Sequence, residues 1–453
     1  MSDARLRVLI FFAAFGALAL VTKTHAISWN DRTRFATIES LVDRGTFAID
    51  GSPIGEGRDS FAFEGHTYSG QPPLLQIEGA VVAAVLKPLG VRLDRSPPET
   101  AIYLITLLGI GPWFGLGLVY AYMLQRDLGF EPKVALAVAA VTGFGTLAFP
   151  FALVFTDHVP AGAAALAGFF YLRRSGGPVM AALGAGFLAL AVLFDEGAVA
   201  LVLPLALLCL RHAGRARVGA ALAAAIPMLA LQLGFNHAIS GGFGPPVLNA
   251  ANYADTHSPF HLASTRPYLG RPLSPGYAFA LAFGAQGLFS YSPAMLVAIA
   301  GLLPMWRSGA REVRETALAV GLASACYAAA VFAVTADTLS SNYGDRRWVD
   351  MEFLLCVPLG WALAAARGKG ALRVTIAALV AASVALAALG SVEPFAPPPG
   401  VVTAGHLLLD RSPLLRSLDL ALAALLICAL TWSTWTATNG PPPGHRGAEP
   451  KPA

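Results

Sequence analysis

The chain has 453 residues, of which 56% are hydrophobic and 13% charged, and its mean hydropathy is +0.61. Soluble domains carry about 25% charged residues, so this composition excludes a soluble globular protein and indicates an all-α polytopic membrane protein. The formal charge of +4, from 31 basic and 27 acidic residues, bears on topology and not on a nucleic-acid partner.

A membrane span needs ~20 predominantly apolar residues. Taken in chain order, such stretches are 8–24, 99–124, 134–151, 158–172, 178–194, 197–210, 218–236, 288–306, 315–336, 349–366, 372–390 and 415–435, about twelve spans in all. The first follows Arg5 and Arg7 and has no small-residue cleavage site, which predicts an uncleaved helix starting in the cytoplasm, with a signal peptide as the alternative. Residues 72–90 are also apolar. If they do not cross, the basic loops 126–133, 173–174, 211–217, 307–314 and 367–373 all face the cytoplasm; if they cross, all five face outward. The expectation is therefore a helix at or dipping into the outer face, opened by Pro72-Pro73, with both termini cytoplasmic. The four cysteines lie inside apolar runs without metal-site or disulfide spacing. One transmembrane domain is expected over 1–438, with a disordered cytoplasmic tail at 439–453.

This topology places the long, polar, aromatic-rich connections outside: 25–71 with the helix to residue 90, then 157–158, 195–196, 237–277, 337–348 and 391–414. In the first of these, Phe35, Ile38, Leu41 and Val42 recur at helical spacing, which predicts a short amphipathic surface helix ending at Gly45. Asn30 or Asp31 would cap it, and Asp31 reads either as that cap or as a carboxylate held just above the bilayer. The alternation around Glu64-Gly65 predicts a small hairpin leading to Ser69-Gly70-Gln71-Pro72-Pro73. Asp157 and His158 stand at the outer end of a span, as do Asp195 and Glu196; each is a candidate functional group or an ordinary headgroup-level polar residue. Arg346 and Arg347 lie on the side where basic residues are disfavoured, flanked by Tyr343 and Trp348. Guanidinium offers a planar fork to phosphate oxygens, so the pair suits a phosphate at headgroup level; ion pairing to Asp345 and Asp350 is the structural alternative.

The order of these features resembles the GT-C superfamily of polytopic glycosyltransferases, in particular the bacterial branch similar to protein O-mannosyltransferases and the lipid A aminoarabinose transferase. The resemblance rests on the stretches 30–34, 41–50 and 68–74, on Gln286-Gly287-Leu288-Phe289-Ser290-Tyr291-Ser292-Pro293, and on Tyr343-Gly344-Asp345-Arg346-Arg347-Trp348. It spans residues 5–366 as ordered short motifs, none specific alone. It implies inverting transfer of a sugar from a polyprenyl phosphate donor to a lipid, glycan or protein acceptor on the periplasmic face of a bacterial inner membrane. Asp31 would be the catalytic base and Asp157 a second carboxylate orienting acceptor or a divalent cation. Arg346, Arg347, Arg34 and Gln71 would hold the donor phosphate, and Asn30, His158, Tyr343 and Tyr68 the substrate. Gln71 stands where relatives place a lysine before Pro-Pro. No segment corresponds to the external C-terminal domain of some relatives, which leaves acceptor selection to 237–277 and 391–414. A transporter or flippase, or a non-catalytic partner in envelope glycan assembly, is the competing class.

Overall fold

The computed structural model describes residues 2–55, 57, 59–95, 98–246, 275–334, 342–397 and 399–438. Parts of the expected loops 237–277 and 337–348, and the tail 439–453, lie outside the described residues. The described residues are mainly helical. The chain begins with α1 (Asp3–Val21), α2 (Trp29–Asp43), a hairpin of β1 (Ser60–Phe63) and β2 (His66–Ser69), and α3 (Pro73–Leu86). There follow α4 (Glu99–Asp127), α5 (Pro132–Phe144), α6 (Ala148–Phe151), α7 (His158–Leu172), α8 (Pro178–Phe194), α9 (Val199–Leu210) and α10 (Arg215–Ser240). The second half holds α11 (Pro275–Phe283), α12 (Leu288–Tyr291), α13 (Ala294–Trp306), α14 (Arg311–Val334), α15 (Trp348–Leu355), α16 (Leu359–Ala365), α17 (Gly370–Gly390), α18 (Gly400–Asp410) and α19 (Pro413–Ala437).

Over their described residues the apolar stretches are mainly helical, but not every one is a straight span. Among the described residues six helices, α1, α4, α10, α14, α17 and α19, have the length and apolarity to cross a membrane. Two helix pairs, bent by 90° (residues 275–306) and 46° (residues 348–365), meet the same requirement only when each pair is taken together. The helices α5, α7, α8 and α9 have 12–17 residues, ~18–26 Å at 1.5 Å per residue. Of these α7 is buried almost throughout and packs on α4, α8 and α15. Its small residues permit the close approach: an added methyl at Gly162 would meet the main-chain oxygens of Val349 and Asp350 at 2.9 and 3.1 Å. That contact sets α15 against the start of α7, where the ionisable residues gather.

The hairpin forms as expected, with Phe61 opposite Tyr68 and Phe63 opposite His66. Its turn needs positive φ at both central positions, which Glu64 (50°) and Gly65 (79°) supply. Fourteen residues make α3 ~21 Å long, short of a span, and it runs beside α2, with Gly79 against Ile38 and Lys87 paired to Asp43. The expected amphipathic character of α2 differs from what is seen: Asn30, Asp31 and Thr33 to Ser40 are all buried. The helix is covered by α3 and the hairpin as well as by Phe155, so its polar residues face protein and not water.

Candidate active site

The polar centre is built around Arg34, which is fully buried. One terminal nitrogen donates to Asp157 Oδ2 at 2.6 Å and to Gln71 Oε1 at 2.7 Å; the other donates to Asn30 Oδ1 and to the Phe155 carbonyl at 3.2 Å. Asn30 and Arg34 lie one turn apart on α2, so helical spacing aims both at the same place. Their partners come from the turn before α3 and from the stretch that opens α7. Asp59, in the loop before β1, completes the group: its Oδ2 accepts from Asn30 Nδ2 at 2.7 Å and Gln71 Nε2 at 2.6 Å. Burial pushes the Asp59 carboxyl above the ordinary carboxylate range, against the pull of Arg346, Arg34 and these two amides.

A second set of groups adjoins the first. Arg346 Nε donates to His158 Nε2 at 3.2 Å, and its guanidinium also donates to Asn342 Oδ1 at 3.2 Å. Burial draws Arg346 below the usual arginine value, while Asp157 and Asp59 oppose that shift. On the other side of the imidazole, Nδ1 lies 3.2 Å from Asp350 Oδ1 and 3.2 Å from Asp195 Oδ2. Tyr327 donates its hydroxyl to Asp350 Oδ2 at 2.6 Å and to the Arg347 carbonyl at 2.8 Å. His158 opens α7, Asp195 ends α8 and Arg346 precedes α15, so these charges sit at one end of the bundle. Asp127, Arg173 and Arg174 mark the other end.

The structure thus brings together Asn30, Arg34, Gln71, Asp157, His158 and Arg346 of the residues singled out in the sequence. Asp31 stands apart. Its carboxylate accepts from the Ile27 and Ser28 amides at 3.0 and 2.8 Å and from the Ser28 hydroxyl at 2.9 Å, while the Ser28 hydroxyl accepts from the Asp31 amide, a capping box that starts α2. Burial raises its carboxyl and these bonds oppose the rise. Arg347 turns to Asp345, with Nε to Oδ1 at 2.8 Å. Tyr343 is buried against Gly390 and Tyr291 and donates to the Leu386 carbonyl at 2.7 Å, which makes it a wedge between helices. Tyr68 stacks on Phe61 in the hairpin. Asp59 and Tyr327 were not legible as site residues. Asp59 reads as the first polar residue of the hairpin alternation, and Tyr327 looks like one more aromatic of an apolar helix.

No protein-family model matches the chain, and no curated protein matches it either. Among solved structures it is similar to ArnT from Cupriavidus metallidurans in the apo state, with a TM-score of 0.51 and 17% identity over 96% of this chain and 76% of that one. The likeness is one of fold: the chain shares the helical membrane-protein architecture of that structure.

Proposed function

We propose that this chain is a membrane glycosyltransferase that moves a sugar from a polyprenyl phosphate donor to a hydroxyl-bearing acceptor on the outer face of a bacterial inner membrane. The observation that carries the reading is the convergence of a buried guanidinium, Arg34, and a half-buried one, Arg346, with two buried carboxylates, Asp59 and Asp157, at the end of the bundle away from the basic loops.

The reaction needs a proton acceptor and an anion stabiliser. The acceptor hydroxyl gives its proton to a carboxylate as its oxygen bonds to the sugar C1. The C1–oxygen bond to phosphate breaks with both electrons leaving on the polyprenyl phosphate, and a single displacement inverts C1. Asp59 suits the base: neutral amides hold it, and burial raises its proton affinity. Asp157 is ion-paired to Arg34 and therefore positions that guanidinium. Arg346 and Arg34 face the departing phosphate in this reading, and Gln71 ties Arg34 to Asp59 where a lysine would have added charge. Asp31, for which the resemblance implies the base, is assigned to hold the N-terminus of the helix that carries Asn30 and Arg34.

The two broken helix pairs are features that a transporter or flippase would also use. The charged groups of the site, however, gather at one end of the bundle. Incubating the purified chain with a labelled polyprenyl phosphate sugar and a membrane extract as acceptor source separates the readings. Label leaving the polyprenyl lipid supports transfer; label that stays on the lipid and only changes leaflet supports a flippase.

A further inference from the structure

Four buried or half-buried carboxylates, Asp59, Asp157, Asp195 and Asp350, meet only two guanidinium groups, Arg34 and Arg346, because Arg347 is taken by Asp345. His158 Nε2 accepts from Arg346 Nε–H, so its Nδ1 is the ring nitrogen that faces the two carboxylates Asp195 and Asp350. A phosphate donor would bring further negative charge.

We propose that His158, Asp195 and Asp350 form a binding site for one divalent transition-metal ion. The ligand atoms all lie within 4.8 Å of one another, and the two measured nitrogen–oxygen edges are 3.2 Å. Metal–nitrogen and metal–oxygen bonds of ~2.0–2.2 Å give tetrahedral edges of ~3.4 Å, so the atoms already stand near the spacing an ion requires. Each ligand is also oriented from behind. Tyr327 holds Asp350 Oδ2 and leaves Oδ1 toward the imidazole, while the Gly197 amide holds Asp195 Oδ1 at 2.9 Å and leaves Oδ2. Asp157 Oδ1 lies 3.8 Å from His158 Nε2. When Nδ1 binds a metal, the ring proton moves to Nε2, where Asp157 is the acceptor that fixes a metal-bound histidine. Nε2 then no longer accepts from Arg346, so metal binding frees that guanidinium for another anion. One nitrogen and two carboxylate oxygens suit Zn²⁺ or Mn²⁺ better than Ca²⁺ or Mg²⁺.

The site does not depend on the sugar-transfer reading, and its test reads metal and not product. Tag-free full-length protein in detergent is stripped with a chelator, titrated with Zn²⁺ or Mn²⁺ alone, and its metal content measured after gel filtration. About one ion per chain is expected, together with a rise in the midpoint of thermal unfolding that needs no variant to observe. Asp195→Asn keeps the oxygen that accepts from Gly197, and so the turn, and should weaken binding at least tenfold; Asp350→Asn should do the same. If Asp350→Asn fails to fold, wild type and Asp195→Asn still decide. The proposal is overturned if stripped wild type takes up no ion, or if Asp195→Asn binds as tightly as wild type.

Discussion

The two ends of the helical bundle use the same charged side chains to opposite effect. At one end Arg34 and Asp157 pair at 2.6 Å with side chains 0% and 6% exposed. At the other, Arg311 and Glu315 pair at 2.9 Å with side chains 72% and 39% exposed. An exposed pair costs little to form and little to lose, whereas a buried pair is expensive to desolvate and damaging to break. Protein stability alone gives no reason to gather six buried or half-buried ionisable groups in one place. Under the proposed function, the Arg34 end is the one kept for chemistry and the basic loops are the end that sets topology.

Breaking that comparison at its strongest point, Arg34→Ala leaves Asp157, Asn30, Gln71 and the Phe155 carbonyl without their shared donor. A loss of ~3–5 kcal/mol is expected from the broken buried pair, seen as a sharply lower midpoint of thermal unfolding in detergent. Next in size is Arg346→Ala. A hydrogen bond to a charged group is worth ~1.5–3 kcal/mol, so donor turnover or apparent donor affinity should fall roughly tenfold to a hundredfold. Loss of activity in Gln71→Ala with none in Arg346→Ala would move the phosphate to the Pro-Pro turn. Asp31→Asn removes a charge from a cap and keeps its shape, so it should cost about 1 kcal/mol or less and leave turnover within a few-fold of wild type. A variant that folds but does not turn over would return the base to Asp31. The smallest effect belongs to the exposed end, where Arg311→Gln should change stability by less than ~0.5 kcal/mol.

Fold class was legible because apolar runs and basic loops are strong, redundant signals. The hairpin followed from its alternation around Glu64-Gly65, and the position of α2 from the spacing of Phe35, Ile38 and Val42. The burial of α2 was not readable, since the elements that cover it come from distant sequence: Pro73–Leu86 on one side and Phe155 on another. The same reason separates the legible site residues from the missed ones. Asn30 and Arg34 share a helix face and sit next to one another in any helical reading. Asp59 reaches them only through the hairpin, and Asp350, held from behind by Tyr327, reaches His158 where Gly162 lets α15 approach α7. Asp31 carries both readings in the sequence, and its bonds to Ser28 are visible only in the fold.

The central claim is that Asp59 is kept buried and basic for proton transfer at a cost in stability. Because its carboxyl titrates above the ordinary carboxylate range in the folded chain, the folded state holds more protons than the unfolded state in that window, and stability falls as pH rises through it. Transfer should rise over the same window as the base loses its proton. Asp59→Asn retains an oxygen for Asn30 and Gln71, so measuring transfer from labelled polyprenyl phosphate sugar and thermal unfolding on the same preparation, at pH 7–8, tests the claim directly. The account predicts a turnover loss of ~10²–10⁴-fold together with an unfolding midpoint equal to or above that of wild type. A variant that transfers sugar at the wild-type rate would contradict it.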